Sequence, residues 1–411
     1  MALSTGRYAF RAMSPRPIIA IFMARRLPAG NERATWGQCG KCSLTAMSSH
    51  AVVIIGGGLE GLSIAAALTA RGQRDVLVLE RRTTGSGGTA KSSGLVRCHY
   101  DCPTLTAMAW EGTRFFESHP GLGFRQTGHV VGVGEESAAT LRANVARRQD
   151  LGIDVAMVTH DDVAALWPGL ETKDFAAFAF EPRGGHGDPI ATCRHFAVAA
   201  QRGGARILEH TRVAALLGDS SSISGVRLAD GRVVGARAVI VAAGAWTADL
   251  VAPLGVHLPI GAMREPIVIA APGAPVGPVP AFTDLVGMQY VRHENSGRLL
   301  IGSHTGAELT TADGYLNKAT DVELERAAAR FTTRFPAFPD VVFPQSYAAC
   351  YDITPDLAPL VGPAGPEGLY VAAGFSGHGF AISPAVGRIC AEMVLGLEAP
   401  PAGLAPDRFP A

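Results

Sequence analysis

The run Gly56-Gly57-Gly58-Leu59-Glu60-Gly61 has the spacing of a turn that holds a pyrophosphate. Gly56 permits the tight turn, Gly58 lets the backbone approach an anion, and Gly61 lets the next helix pack close to a sheet. Free amides and the helix dipole then favour the bound negative charge. Glu80 stands 24 residues after Gly56, at the end of an expected second strand, where a carboxylate can accept from both hydroxyls of a ribose. That acid disfavours a 2′-phosphate, and so NADP. This is dinucleotide-binding chemistry, shared by FAD and NAD.

Two further glycine-rich stretches separate those cofactors. Gly85–Gly94, containing Thr89, Ala90, Lys91 and Ser92, suits a loop laid along a long dinucleotide. Far along the chain, Gly374-Phe375-Ser376-Gly377-His378-Gly379-Phe380 precedes Ser383-Pro384. Ser-Pro is a good N-cap and first-turn pair, so a helix is expected to begin there. A helix start aimed at a flavin would stabilise its N1–C2=O edge, which becomes anionic on reduction. These features favour FAD.

The elements that must position these residues follow from hydrophobic period. Ala51–Ile55 reads as an apolar strand, Glu60–Arg71 as an alanine-rich helix and Asp75–Glu80 as a second strand. A βαβ unit implies a parallel sheet. Helices are expected at Thr104–Ser118, Ser137–Gln149 and from Pro189 to about Gln201. Ala229-Asp230-Gly231 reads as a hairpin turn. Strands are expected near Pro266–Ala270, Gly287–Arg292, Arg298–Ser303 and Gly368–Ala372. The fold class is α/β: a Rossmann-type domain with a parallel sheet and an inserted α+β domain on an antiparallel sheet. The expected nucleotide domain is discontinuous, covering 50–100, 186–250 and 346–396. Residues 101–185 and 251–345 form the substrate domain, and 397–411 a tail.

Composition sets the outer limits. The 411 residues carry 36 basic and 36 acidic side chains, which removes the bulk electrostatic argument for nucleic acid or an acidic membrane. No apolar run reaches the length needed to span a bilayer. Seven dispersed cysteines do not make a disulfide scaffold, and Cys39-Gly40-Lys41-Cys42 lacks the second pair a zinc site needs. No metal is expected. Residues 1–49 hold six arginines and a single acid, Glu32. That composition fits a dispensable or mis-assigned leader, with Met47 as a natural start, or a mitochondrial presequence. The expected location is cytoplasmic, or mitochondrial if the leader is a transit peptide.

Gly56–Gly61, Glu80, Val241–Trp246, Tyr351-Asp352-Ile353-Thr354-Pro355-Asp356 and Gly374–Phe380 together resemble the D-amino acid oxidase superfamily of FAD enzymes. The likeness covers about residues 50–396 and is nearest the branch of sarcosine oxidase, dimethylglycine dehydrogenase and glycine oxidase. It implies FAD, and an amine or amino acid substrate whose C–N bond is oxidised by hydride transfer to flavin N5, giving an imine that hydrolyses. It places cofactor contacts at Arg81, Val213, Ala243, Gly244 and Trp246 besides the three glycine-rich stretches. Arg97 matches the arginine that holds the substrate carboxylate in sarcosine oxidase. Tyr351 takes the place of a substrate-binding arginine in glycine oxidase. His378 in the flavin loop and Tyr290 and His304 on expected substrate-domain strands are further candidates for the site.

Departures from the family pattern carry information too. The cysteine that attaches flavin in monomeric sarcosine oxidase corresponds to Ala349, with Cys350 one place off, and the attaching histidine of dimethylglycine dehydrogenase corresponds to Lys91. Non-covalent FAD is therefore expected. The oxygen-activating lysine has no counterpart in Arg298–His304, which favours a dehydrogenase over an oxidase, although Lys91 is a possible substitute. The lysine that assists the arginine clamp is replaced by Ala381. An arginine alone has the planar fork to bind a carboxylate, and the pattern favours an N-methyl or cyclic imino acid. Arg97 paired with Asp101 is the structural alternative. The electron acceptor, whether oxygen, a quinone or an electron-transfer protein, is open. So is a different role, as an accessory flavoprotein subunit of a larger amine oxidoreductase. A purely NAD-binding dehydrogenase is disfavoured by Gly374–Phe380.

Overall fold

Two hydrophobic periods produce two large sheets, and a third, two-stranded one pairs Leu95–Val96 with Gly185–His186. In chain order the computed structural model begins with strands β1 (Met47–Ile55), β2 (Val76–Leu79), β3 (Leu95–Val96), β4 (His129–Val133), β5 (Ala156–Val158), β6 (Ala177–Glu181) and β7 (Gly185–His186). β8 (Arg206–Leu208), β9 (Val213–Gly218), β10 (Ile223–Leu228) and β11 (Val233–Val241) follow. The remaining strands are β12 (Gly261–Ala271), β13 (Ala281–Asp284), β14 (Gln289–His293), β15 (Leu299–Ser303), β16 (Glu308–Thr310), β17 (Val342–Ile353), β18 (Leu360–Pro363) and β19 (Leu369–Ala373). The helices used below are α1 (Leu59–Ala70), α2 (Pro103–Ser118), α3 (Glu135–Asp150), α4 (His160–Leu166), α5 (Pro189–Arg202), α6 (Thr247–Val251), α7 (Asp321–Arg334) and α8 (Gly379–Val394). The structure describes residues 47–274, 276–294, 296–303 and 308–409, so the leader 1–46 and His304 lie outside it.

The first sheet runs β18-β19-β11-β1-β2-β8, and the hairpin β9–β10 is attached to β11. β1 pairs in parallel with β2 and β11, β2 with β8, and β11 with β19. A parallel sheet must be covered on both faces, which is why its strands are apolar throughout. Val76–Leu79 is buried at every position, as is β1 from Ala51 onward. Helix α1 packs against α5 and α8 on this sheet. Close approach depends on small residues: a Cβ on Gly387 would lie 2.2 Å from Ser63 Oγ, and Ser63 Oγ donates to Ser383 O at 2.7 Å.

The second sheet runs β16-β12-β15-β14-β13-β4-β6-β5, and β17 pairs with β12. Its pairs are antiparallel except β4 with β13. One face of β12 buries Val268 under α7. The other face carries Ile267, Tyr290 and Leu300, packed with Leu95 and Tyr347. β17 pairs with β12 along its length, so the expected boundary at 346 falls inside a strand of this sheet. The tail is docked: Arg408 donates to both carboxylate oxygens of Asp356 at 2.8 and 2.9 Å. Among the described residues no helix is long and apolar enough to cross a membrane.

The structure corrects one expected element. The last helix begins at Gly379, with His378 as its N-cap, and Pro384 lies inside it. A proline there removes a backbone donor, and Ser383 Oγ takes its place by donating to Phe380 O at 3.0 Å. Ser-Pro is thus an internal repair and not a start. The helix begins a turn earlier, directly on the glycine-rich loop.

Candidate functional site

A cavity of about 460 Å³ lies at the carboxyl ends of β1, β2, β11 and β19, lined there by Ile55, Leu79, Ala242 and Ala372. That is where open parallel sheets place their ligands. Gly56, Gly58, Leu59, Glu60, Glu80, Arg81, Thr89, Ser92, Val213, Ala243, Gly244 and Trp246 line it, as do Phe375, Gly377, Gly379 and Phe380. Gly57, Gly61, Ala90, Lys91, Gly374, Ser376 and His378 do not line it, nor do Arg97 and Tyr290.

The glycine turn fits a dinucleotide on stereochemical grounds. Gly56 has φ +111°, and a Cβ there would sit 2.3 Å from Ala242 O. A Cβ on Gly61 would sit 2.0 Å from Gly56 O. Gly58 differs, because its nearest neighbour would be Thr89 Oγ1 at 3.5 Å, on the open side of the cavity. Glu80 braces the turn by accepting from Gly57 N at 2.8 Å through Oε2 and from Arg82 N at 2.8 Å through Oε1. A carboxylate has lone pairs for further donors, so this bracing leaves room for a ribose. Thr89 Oγ1 accepts from Leu59 N at 3.0 Å, tying the loop to the helix start.

The far end of the cavity is closed by parts that sequence reasoning missed. Asp313 accepts from Arg81 Nη1 at 3.1 Å and from Trp246 Nε1 at 2.9 Å, while the Arg81 guanidinium lies 3.8 Å from the Trp246 ring centre. Asp313 follows β16 of the second sheet, and nothing in its local sequence announces the contact. Lys91 is held by the same connection: its Nζ donates to Tyr315 Oη and Asn317 Oδ1, both at 2.6 Å. Burial, with Arg82 nearby, pulls the Lys91 ammonium below its ordinary value. Cys350 also lines the cavity, but burial and Asp352 push its thiol up to about 11, so no reactive thiolate faces the cofactor.

The Gly374–Phe380 loop forms one wall of the cavity through Phe375, Gly377, Gly379 and Phe380. Asp352 fixes it: Gly374 N donates to Asp352 Oδ2 at 2.7 Å and Ser376 N to Asp352 O at 2.8 Å. Ser376 takes φ 50°, a left-handed conformation rarely adopted by serine, and its hydroxyl contacts Gly374 O and Thr354 N. A Cβ on Gly377 would lie 2.9 Å from the Tyr351 ring. Tyr351 in turn hydrogen-bonds Tyr290, which also bonds Ser93. Tyr290 packs flat on Gly302, where a Cβ would fall 2.1 Å from its Cζ. Burial pushes the Tyr290 phenol up to about 12 and raises the Tyr351 phenol as well, so both stay neutral.

On the other side of the loop, His378 meets Tyr100 edge-on at 5.1 Å, and the Arg97 guanidinium lies 4.7 Å over the Tyr100 ring. Arg97 Nη1 donates to His99 O at 2.5 Å. Asp101 instead accepts from Asn144 Nδ2 at 2.5 Å. The four candidates thus form two groups, Tyr290 with Tyr351, and Arg97 with His378 through the Tyr100 ring between them. Glu265 was not foreseen. It lies on β12 next but one to Met263, the partner of Tyr351, and therefore on the Tyr290–Tyr351 face of the sheet. Ser303 N donates to its Oε1 at 3.0 Å, and burial pushes its carboxyl up to about 8.

Comparison with known proteins agrees with this geometry. Residues 51–393 match the family described as DAO, FAD dependent oxidoreductase. A relative from Paenarthrobacter nicotinovorans named 4-methylaminobutanoate oxidase (formaldehyde-forming) is 31% identical over 84% of this chain and 43% of its own. The chain thus spans less than half of that relative's length. Glycine oxidase from Pseudomonas putida is 27% identical over 87% of this chain and 99% of its own. The crystal structure of L-proline dehydrogenase from P. horikoshii superposes with a TM-score of 0.81 at 27% identity, covering 88% of this chain and 98% of that one. With the glycine cradle, the braced acid and the loop-to-helix wall all in place, the chain belongs to the DAO family of FAD dependent oxidoreductases, and FAD is its cofactor.

Proposed function

We propose that the protein oxidises the C–N bond of a small amino acid carrying a secondary or tertiary nitrogen, of the N-methyl or cyclic imino acid type. The observation that carries this reading is Arg97, stacked over Tyr100 against His378 at the loop that also walls the cofactor cavity. Its planar fork suits a carboxylate, and the loop sets the distance from that carboxylate to the reacting carbon. The names of the relatives, an N-methylated amino acid oxidase, a glycine oxidase and a proline dehydrogenase, support the same substrate class.

FAD, when bound, supplies a two-electron acceptor for the carbon next to nitrogen. The chain supplies position and field. Gly56–Gly61 and the start of α1 hold the pyrophosphate, and Glu80 holds a ribose. The start of α8 presents backbone amides and a positive dipole end to the cavity. Arg97 anchors the carboxylate, and the neutral phenols of Tyr290 and Tyr351 donate hydrogen bonds from the second sheet. With the Lys91 ammonium held by Tyr315 and Asn317, no cation from that residue reaches the reacting centre, which favours a dehydrogenase with an acceptor other than oxygen.

Anaerobic addition of sarcosine, dimethylglycine, proline and their decarboxylated counterparts to the yellow protein tests the reading. One or more of the amino acids should bleach the flavin absorbance, and the amines lacking a carboxylate should not. A flavin bleached by none of them would instead support the accessory-subunit role. Reoxidation by air much slower than by an artificial acceptor would separate dehydrogenase from oxidase.

A further inference from the structure

Glu60 occupies the last variable position of the glycine turn, in the first turn of α1. Its side chain lines the cofactor cavity, yet its Oε2 is buried with no hydrogen-bond partner. Directly across stands Gly379, the first residue of α8, where a Cβ would come within 2.4 Å of Glu60 Oε1. A side chain there would displace the carboxyl from its present place between the two helix starts.

The groups facing this carboxyl are acidic or neutral. Asp352 of β17 is the charged neighbour, and it raises the cost of ionising Glu60. Cys390 of α8 and Cys193 of α5 are thiols that the Glu60 charge helps push up. Among the described residues no cation stabilises a Glu60 carboxylate. The two acids are not equivalent. Burial raises the Asp352 carboxyl above its ordinary range, but Asp352 also accepts from the amides of Phe375 and Gly374, bonds that favour its ionised form. Glu60 has no such donor. Burial favours the proton on both acids, and the amides on Asp352 mean that, where one of the two is ionised, the charge sits on Asp352 and the proton on Glu60. FAD brings phosphate charge into the same cavity, which opposes ionisation of Glu60 further.

We infer that Glu60 binds the cofactor as a neutral carboxylic acid, giving its O–H to an oxygen of the dinucleotide, and that FAD retention falls as rising pH ionises it. The inference rests on the family's cofactor and not on the substrate reading. The sign follows from linkage: a proton held more tightly with FAD bound makes affinity full at low pH and weaker through the ionisation range.

Dilution of the holoenzyme across pH 6 to 9.5, with released flavin read by fluorescence, tests this. In the wild type the FAD dissociation constant should rise by about tenfold per pH unit through the ionisation range. Glu60→Gln keeps a donor and cannot ionise, so its flavin retention should be flat over the same range. An equal rise in both proteins would overturn the inference. A second measurement needs no variant. Flavin leaving the wild-type protein in weakly buffered solution at the upper pH should release close to one proton per flavin, read by an indicator dye. Release of none would also overturn it. A protein that behaves as inferred, but whose flavin no amino acid bleaches, would refute the proposed substrate and leave Glu60 standing.

Discussion

The glycine turn and the Arg97–Tyr351 side of the molecule are built on different principles. The turn is local: Gly56 to Gly61 spans six residues, its constraints are backbone contacts such as Gly61 on Gly56 O, and its brace is a single acid one strand away. The proposed substrate side is assembled from afar. Tyr290, Glu265 and Tyr351 come from three strands of the second sheet, whereas Arg97 follows β3 and His378 lies between β19 and α8. The first region should fail through loss of cofactor, and the second through loss of turnover with cofactor retained.

The largest expected effect is at Arg97. Arg97→Met removes the fork and leaves a substrate carboxylate unpaired, which costs about 3–5 kcal/mol. The value of kcat/KM should fall by roughly 10²–10⁴, with flavin content unchanged. Equal losses for amines lacking a carboxylate, or loss of flavin, would move Arg97 to the structural side of the comparison.

Gly61→Ala should act oppositely. Its new methyl would meet a backbone oxygen that cannot rotate away, and overpacking of this kind costs about 1–3 kcal/mol or more. Thermal stability and flavin content should both drop, with any remaining holoenzyme turning over normally. Gly58→Ala, which meets only Thr89 Oγ1 at 3.5 Å, is the control that should keep the fold and weaken FAD alone.

Glu80→Ala deletes the acceptor of Gly57 N and of the ribose, worth about 1.5–3 kcal/mol for bonds to a charged group. FAD should dissociate roughly tenfold to a hundredfold more readily, as equilibrium dialysis would show. Unchanged retention would mean that the turn holds itself. Tyr290→Phe removes one neutral donor, about 0.5–1.5 kcal/mol, and should lower kcat several-fold without touching flavin content.

The smallest effect concerns Glu265. Its carboxyl is raised in the folded protein from 4.5 to about 8, so the folded state holds a proton that the unfolded state loses. Stability should be fullest below pH 4.5 on this account and decline as pH rises toward 8. Glu265→Gln should flatten that decline, seen as a difference in Tm from the wild type that changes by a few degrees between the two ends of the range. A parallel decline in both proteins would assign it elsewhere.

Residues near one another in sequence were legible. The βαβ unit, Glu80 at the end of its second strand, and the loops around Thr89 and Phe375 follow from period and spacing, because a strand, a turn and a helix impose local rules. The start of α8 was misplaced because Ser383-Pro384 carries a strong capping signal, while the side-chain repair at Phe380 O is visible only when the helix is seen whole. Asp313, Glu265 and the Glu60–Asp352 pair carry no local signature at all.

Sequence by itself thus determined the cofactor class, since the close approaches in the turn demand glycine and the ribose demands an acid at a set distance. Tertiary structure alone decided which side chains share a wall. It joined Tyr290 to Tyr351, set Arg97 over Tyr100, tied Lys91 to Tyr315 and Asn317, and left Glu60 facing an acid. The physical reason is range. Backbone sterics act over a few residues, whereas burial and charge depend on neighbours brought together from hundreds of residues apart.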